Sequence, residues 1–419
     1  MRPIGIDLFA CAGGMSLGFE QAGFDVRVAV EIDPVHCAVH AFNFPNTAII
    51  CKSVSEVSGA DIRKAGNIGD AEIAVVFGGA PCQGFSMMGK RVLDDPRNSL
   101  VLDFIRIIAE LRPKHFVFEN VKGITIAPHS AILEEMVDAF LEHGYKILQP
   151  WRVLNAVDYG VPQKRERLFL IGTRTGNRSP RYPRPSLERV TCGDALGDIP
   201  NAEHFPELVH TDSVKTHLGN PSRYAMKMRG LLNDDTDFSH PRVWDKGVLT
   251  GSLRASHTDL SRSRFLATTP GDTEPVSRFF KLAPDGFCNT LRAGTNTDRG
   301  AFSAPRPIHY AFPRCITVRE AQRLHGYPDW FRMHVTKWHG FRQVGNSVPP
   351  PLAHAVASSV MAAMDGKPTR PTKAIKLGPV SLLQMDLTQA SEHFNVQGRA
   401  IAPRTRNRDL FTATEEVDA

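Results

Sequence analysis

What this chain of 419 residues lacks narrows it first. No unbroken apolar run approaches the roughly 18 residues that span a bilayer, so no membrane partner is expected. The N-terminus enters "IGIDLFA" almost at once, without the basic flank, apolar core and cleavage site of a secretory signal. A cytoplasmic protein is the expectation. Cysteine is scarce and scattered: seven residues, at 11, 37, 51, 82, 192, 288 and 315, with no C-x-x-C pair. That set argues against a disulfide framework and a zinc cluster. No metal site is expected, while a single reactive thiol stays open. Neither sign of charge dominates: the net charge of +6 is compatible with a polyanion partner without indicating one. The literal G-x-G-x-x-G of dinucleotide-binding turns is missing as well.

What is present is a rhythm of strands and helices over residues 1–174, the first part of a catalytic and cofactor domain. "IGIDLF", "VRVAVEID", "EIAVVFGG", "HFVFEN", "KILQPWRVLNA" and "RLFLIGT" read as strands. Met15–Ala22, Pro34–Phe42, Ser99–Leu111 and Ser130–His143 read as helices between them. Repeated β-α units predict an α/β fold, a parallel sheet with helices on both faces. Ligands of such sheets lie outside the carboxyl ends of the strands. Over residues 175–285 the rhythm breaks into Pro-, Arg- and Ser-rich chain such as "RTGNRSPRYPRPSLER", which predicts a smaller, irregular, basic domain. Regular pattern returns over 286–365, ending in a helix from Leu352 to Met364 that completes the first domain. The polar tail, 366–419, is expected to be largely disordered, with a short element around "VSLLQMDL".

Four stretches carry candidate chemistry. In "GIDLFACAGGMSLGFE", Gly13 and Gly14 follow a strand and open a helix, and Glu31 ends the next strand, where an acid can bind ribose hydroxyls. A tight packing turn is the competing reading. Cys11 stands where a first glycine would, which suits a nucleoside without a pyrophosphate better than a dinucleotide. In "VVFGGAPCQGFSMMGKRVLDDPRNS", Cys82 follows a buried strand inside a Gly/Pro-framed turn. A lone cysteine is usually a small core residue, but this turn and its polar neighbours fit a nucleophile. A thiol with pKa near 8.5 is a few per cent thiolate at neutral pH, more beside an arginine or a helix N-terminus. In "KHFVFENVKGI", Glu119 ends another apolar strand; burial there would raise its pKa and fit it to donate a proton, or it caps a loop. In "VPQKRERLFLIG", Gln163, Arg165 and Arg167 alternate onto one face entering a strand. Buried arginines there need anionic or carbonyl partners; a solvated strand start is the alternative.

Taken in order, the glycine turn, "APCQGFS", "FENV", "DYGVPQKRERLFLIG" and "GNSV" resemble the cytosine-C5 DNA methyltransferases of bacterial restriction–modification systems, from Ile4 to about Val360. The resemblance implies a Rossmann-like sheet dependent on S-adenosylmethionine, a target-recognition domain in the middle, and double-stranded DNA as partner. It implies a modification enzyme acting as a monomer, with any cognate restriction endonuclease acting separately. Cys82 would add to C6 of cytosine, Glu119 would engage N3 and the exocyclic amine, Arg167 would bond O2, and Arg165 would support it. Asn120 and Gln163 would order the loops. Cofactor binding would fall to Phe9, Ala12, Gly13, Gly14, Glu31, Ser53, Pro81, Asn346 and Ser347. DNA contacts would come from Ser86, Met88, Lys90, Arg91, Arg254 and Arg292. Two positions depart from the family: Cys11 replaces a usual glycine and Ser53 a usual aspartate. Three rival readings are a nicotinamide oxidoreductase, a catalytically weak DNA-binding regulator that keeps the fold, and an RNA cytosine methyltransferase.

Overall fold

The computed structural model describes residues 2–80, 99–125, 130–294, 306–364 and 367–396. The first elements are β1 (Ile4–Leu8), α1 (Gly14–Gln21), β2 (Asp25–Glu31), α2 (Pro34–Asn43), β3 (Ala48–Cys51), α3 (Gly59–Ala65), β4 (Ile73–Gly78), α4 (Ser99–Leu111) and β5 (His115–Val121). They continue with α5 (Ser130–Glu142), β6 (Tyr145–Ile147), β7 (Arg152–Asn155) and β8 (Glu166–Arg174). The sheet order is β3-β2-β1-β4-β5-β8-β6, with β7 also beside β8.

The strand alternation sorts side chains onto two faces. Val76, Phe116 and Phe118 join α4 and α5 on one; Val75, Phe77 and Val117 join α1 and a late helix on the other. Each helix starts where its sequence says. Asp33 caps α2 by accepting the Val35 N–H at 2.9 Å, and Pro34 occupies the first turn, where its missing donor costs nothing. In α4, Val101, Phe104, Ile105, Ile108 and Leu111 recur at helical spacing and are buried.

The expected all-parallel sheet is corrected. β1 through β5 pair in parallel, but β8 runs antiparallel to β5, β6 and β7. The connection between β7 and β8 is too short for a crossover helix, so only an antiparallel return is open to it. The single strand expected over "KILQPWRVLNA" is two, β6 and β7, on either side of Pro150, which has no N–H to give a ladder. β3 and α3 carry too little apolar periodicity to have been read.

The second stretch holds α6 (Cys192–Leu196), β9 (Val214–Lys215), α7 (Arg223–Met228), β10 (Arg242–Val243), β11 (Val248–Leu249) and α8 (Asp259–Ala267). The return holds α9 (Val318–His325), α10 (Lys337–Asn346) and α11 (Pro350–Met361), followed by β12 (Ile375–Lys376) and α12 (Leu387–His393). α11 lies close on α1: a Cβ on Gly18 would come 2.5 Å from that of Ala353, so only glycine permits the approach. α9 is buried on every side: Val318, Ala321 and Leu324 form a narrow apolar stripe, and its charged residues are buried as well. Ion pairs make this possible. Arg323 bonds Asp198 at 3.1 Å and Asp329 at 2.8 Å, and Arg314 bonds Glu320 at 2.8 Å.

The tail differs from the expected disorder up to residue 396. The Gly378 N–H donates to Phe42 O at 2.9 Å, the Val335 N–H donates to Leu383 O at 3.1 Å, and β12 pairs with β10. Leu382 and Leu383 are buried against α2 residues Val39 and Phe42. The element expected around "VSLLQMDL" is present as a 3-10 turn, Val380–Leu383, and α12. Leu382 and Leu383, with Leu377, Met385 and Phe394 half-buried beside them, suffice to dock as a strap a stretch that is polar on average. Among the described residues no helix is long and apolar enough to cross a membrane.

Leu383→Ala is expected to cost about 2–5 kcal/mol, the range for emptying a fully buried leucine site. Urea unfolding of the full chain checks this; an unchanged midpoint would mean that the strap carries no stability.

Candidate active site

The turn after β1 is bent by residues that seldom adopt its conformation. Phe9, Cys11 and Gly13 have φ of 60°, 50° and 98°. The first two are non-glycine residues in the left-handed region, each costing of order 1 kcal/mol. The Cys11 N–H that this exposes is taken by Glu31, whose Oε2 accepts it at 2.8 Å. Glu31 Oε1 accepts the Asp33 N–H at 2.9 Å, so the carboxylate at the end of β2 is fixed from both sides. His36 lies 3.7 Å from Glu31 and 3.7 Å from Asp33. Burial opposes its charge, but Cys11, Asp33 and Glu31 outweigh that and raise its pKa well above the usual histidine value. The two glycines have packing reasons of their own. A Cβ on Gly13 would sit 2.4 Å from the Phe44 ring, and one on Gly14 would sit 2.4 Å from Val348 O. Ala12 is fully buried. Ser53 caps the 3-10 turn after β3, and its hydroxyl lies 2.6 Å from that of Ser55.

The middle of the sheet brings an acid and a cation together. Glu119 on β5 and Arg167 on β8 form an ion pair, Nε to Oε1 at 2.9 Å, with both side chains largely buried. Burial raises the Glu119 pKa above the ordinary carboxylate range, while Arg167 and Arg165 pull it back. The sequence reading put Glu119 at the end of one strand and Arg167 at the start of another, and their meeting needed the antiparallel register that sets Val121 opposite Arg167. Asn120 holds the neighbouring strand: its Nδ2 donates to Ala80 O at 3.2 Å and its Oδ1 accepts the Val121 N–H at 2.8 Å. Ala80 is the last described residue before "PCQ". Pro81, Cys82, Ser86, Met88, Lys90 and Arg91 lie outside the described residues.

Arg165 has a different employment from Arg167. It is fully buried and donates to Leu291 O at 2.8 Å, Gly345 O at 2.7 Å and Ser347 O at 2.9 Å. Burial and the neighbouring Arg167 push its pKa down to about 9, so it stays charged at neutral pH. Gln163 works beside it, accepting the Leu291 N–H at 3.1 Å and lying 2.9 Å from His325 Nδ1. His325 Nε2 faces Ser347 O at 3.1 Å, so the proton sits on Nε2 and Nδ1 accepts from Gln163. Burial, with Arg165 nearby, lowers the His325 pKa well below the usual value and keeps the ring neutral. Sequence reasoning missed His325: "QRLHG" reads only as the end of a helix. Asn346 is exposed beside buried Ser347. Of the three arginines expected on DNA, Arg91 lies outside the described residues, Arg292 is exposed, and Arg254 is half-buried and donates to Glu203 O at 3.2 Å.

Gly79 was also missed. A Cβ there would lie 2.4 Å from Glu119 Oε2, so glycine makes room for the carboxylate. The signal was the doubled glycine of "VVFGGAPCQ". Gly79→Ala is expected to displace Glu119 and lower turnover by about 100-fold, the order expected for a 1 Å misplacement of a reacting group. Steady-state kinetics on the purified variant check this, and near-normal turnover would overturn it.

Comparison with known proteins agrees with the geometry. A family model described as C-5 cytosine-specific DNA methylase matches residues 4–362. The chain is 58% identical to the Type II methyltransferase M.XorII of Xanthomonas oryzae over 97% of its length and 96% of that protein. It is 34% identical to M1.HphI of Haemophilus parahaemolyticus over 85% of its length and 86% of that protein. A crystal structure of a prophage-encoded DNA modification methyltransferase from E. coli superposes with a TM-score of 0.72 at 33% identity, covering 87% of this chain and all of that one. The Dnmt2 methyltransferase of S. pombe, at 17% identity and a TM-score of 0.53 over 87% of this chain and all of that one, shares the fold. A relationship running through nearly the whole chain, on a sheet whose edge pairs a buried acid with an arginine, leaves one assignment: this protein belongs to the C-5 cytosine-specific DNA methylase family.

Proposed function

We propose that the chain methylates C5 of a flipped-out cytosine in a specific duplex sequence through a covalent Cys82–C6 adduct, as the modification enzyme of a Type II restriction–modification system. The observation that carries this reading is the buried Glu119–Arg167 pair, set beside an asparagine bonded to the residue before the "PCQ" turn. The Cys82 thiolate attacks C6, forming a C–S bond and pushing electron density toward C5 and N3. Glu119, whose burial favours the protonated form, shares its proton with N3 and offsets that charge. Arg167 orients Glu119 and reaches O2. Arg165 touches no substrate in this reading; it is a positioning residue.

S-adenosylmethionine fits the cradle as the methyl donor: bound there, it supplies an electrophilic methyl group to C5. Loss of the C5 proton and departure of the Cys82 thiolate then restore the ring. Glu31 is held by Cys11 and Asp33 N–H groups, each on one oxygen, which leaves acceptor capacity on both for ribose hydroxyls. Phe9, Ala12, Gly13, Gly14, Ser53, Pro81, Asn346 and Ser347 complete the pocket. Residues 175–285 read the target, with Arg254 and Arg292 and, from the "PCQ" loop, Ser86, Met88, Lys90 and Arg91 as DNA contacts. The base must leave the stack, at a cost of a few kcal/mol. The enzyme works in the cytoplasm as a monomer, and a cognate endonuclease acts separately.

Duplex DNA carrying 5-fluorocytosine at the target is expected to trap a covalent adduct, because fluorine cannot leave as a proton does. Denaturing electrophoresis reads it. An active preparation that traps nothing, or measurable turnover by Cys82→Ala, would sink the mechanism. A carboxyl group with a raised pKa is protonated at low pH and loses its proton as pH rises through that value. The pH profile of kcat/KM should therefore descend on an ionisation above the usual carboxylate range, and Glu119→Gln should lack that limb. A limb retained in Glu119→Gln belongs to another group.

A further inference from the structure

The segment that leaves β8 for the middle of the chain, "NRSPRYPRPSLER", has no part in the site described above. It carries Arg178, Arg181, Arg184 and Arg189 against one acid, Glu188. Its first three arginines are spaced three residues apart. Pro180, Pro183 and Pro185 fix their own φ and bias the residues before them toward extended backbone. No helix or strand forms from residue 178 to 186. Such chain approaches the polyproline II form, in which every third residue shares a face.

From residue 180 to 184 the burial follows that period. Arg178, Arg181 and Arg184 are all exposed. The other two phases attach the segment to the body. Pro180 is buried, Tyr182 donates its hydroxyl proton to Phe169 O at 2.8 Å, and Pro183 O accepts from the Tyr159 hydroxyl at 3.2 Å. Arg152 lies over the Tyr182 ring, and the Ser186 N–H donates to Asp158 O at 2.7 Å. The tethers also give a direction. β8 ends at Arg174, Tyr182 is level with Phe169 in mid-strand, and Ser186 reaches the turn before the strand begins. The segment thus climbs back along β8 toward the edge that holds Glu119 and Arg167.

Among the described residues, nothing holds the three guanidinium groups: none has a hydrogen bond, an ion pair or a ring beneath it. This sets them apart from Arg165, Arg174, Arg254, Arg262, Arg314 and Arg323, each of which is bonded within the protein. Leu187, next in the same three-residue phase, is fully exposed. A rigid rail of unpaired arginines ending in a bare leucine has the form of a surface that a partner covers.

We propose that Arg178, Arg181 and Arg184 form a phosphate rail that grips duplex DNA flanking the target, outside the contacts that read the bases. The proposal rests on the reading of duplex DNA as substrate. Three residues of polyproline-like chain advance about 9 Å. Phosphates of one strand advance about 3.4 Å along the duplex axis while winding around it, so this spacing lets successive arginines reach separate phosphates. Contacts of this kind set register and affinity and carry no sequence information.

The test compares the full-length protein with R178Q/R181Q/R184Q and R178K/R181K/R184K. Each binds a duplex several helical turns long and a duplex confined to the target, across about 50–200 mM salt. On the long duplex the glutamine variant should lose affinity about tenfold or more, and its log–log salt slope should become shallower by about three, close to 0.9 per phosphate contact. On the short duplex the change should be small, and the lysine variant should keep the slope of the unaltered protein, because a point charge suffices for a phosphate. An unchanged slope and affinity for the glutamine variant on the long duplex overturns the rail. So does an equal loss on both duplexes, which would move these arginines into target recognition. If the unaltered protein binds neither duplex, the reading of DNA as substrate is at fault, and the rail falls with it.

Discussion

One buried cation holds the site together. The Arg165 guanidinium sits in the interior without a hydrogen-bonded carboxylate, and three backbone carbonyls from two distant segments stand in for one. Removing a charge from water is costly unless its donors are met. The protein therefore has one low-energy way of arranging Leu291, Gly345 and Ser347 around it. That arrangement brings "GNSV" against the first glycine turn and leaves Arg167, two residues on, free to pair with Glu119. Gln163 and neutral His325 repeat the design with polar groups that carry no charge, bonding the same two segments from the other side.

The two arginines of "QKRER" thus divide the work although residues two apart on a strand share a face. Arg165 is given to architecture and Arg167 to the ion pair with Glu119. The cofactor cradle shows a similar economy. Its strained turn is held by Glu31, the same carboxylate that the proposed reading assigns to the ribose. Cys11 sits in left-handed backbone where the family usually has glycine, its thiol 3.8 Å from Gln343 O and turned toward α10. The thiol is accommodated by packing in the cradle wall.

The strands and helices of the first half were legible because burial on a two-sided sheet leaves strong periods: "EIAVVFGG" and Ser99–Leu111 could hardly be anything else. The residue types of the site were legible too, since an acid or a pair of arginines at the end of an apolar strand is costly without a purpose. Register was not. That Glu119 meets Arg167 depends on β8 turning antiparallel, a consequence of loop length and of Pro150 interrupting the strand before it. Gly79 was hidden because a glycine that makes room for a side chain forty residues away looks like any turn glycine. Regular pattern was legible at α9, but the burial of its charged face was not, because it depends on Arg323 and Glu320 finding partners elsewhere in the chain. Beyond the short element expected around "VSLLQMDL", the docking of 367–396 was hidden because a few apolar side chains anchor a stretch that is polar on average.

The closure of the sheet by its own far end has a consequence for how the protein comes into being. Gly14 packs against Val348, α1 lies on α11, and Arg165 waits for the carbonyls of Gly345 and Ser347. A ribosome adding roughly 5–20 residues per second needs on the order of ten to forty seconds to pass from Arg167 to the start of α11. Until Leu291 is added the nascent chain holds the Arg165 guanidinium with none of its three acceptors, and until α11 is made its N-terminal helix has no cover. The reactive half of the enzyme is thus made first and assembled last. A truncated product ending before the return segment would carry every group of the proposed chemistry and lack the closure that sets them in place.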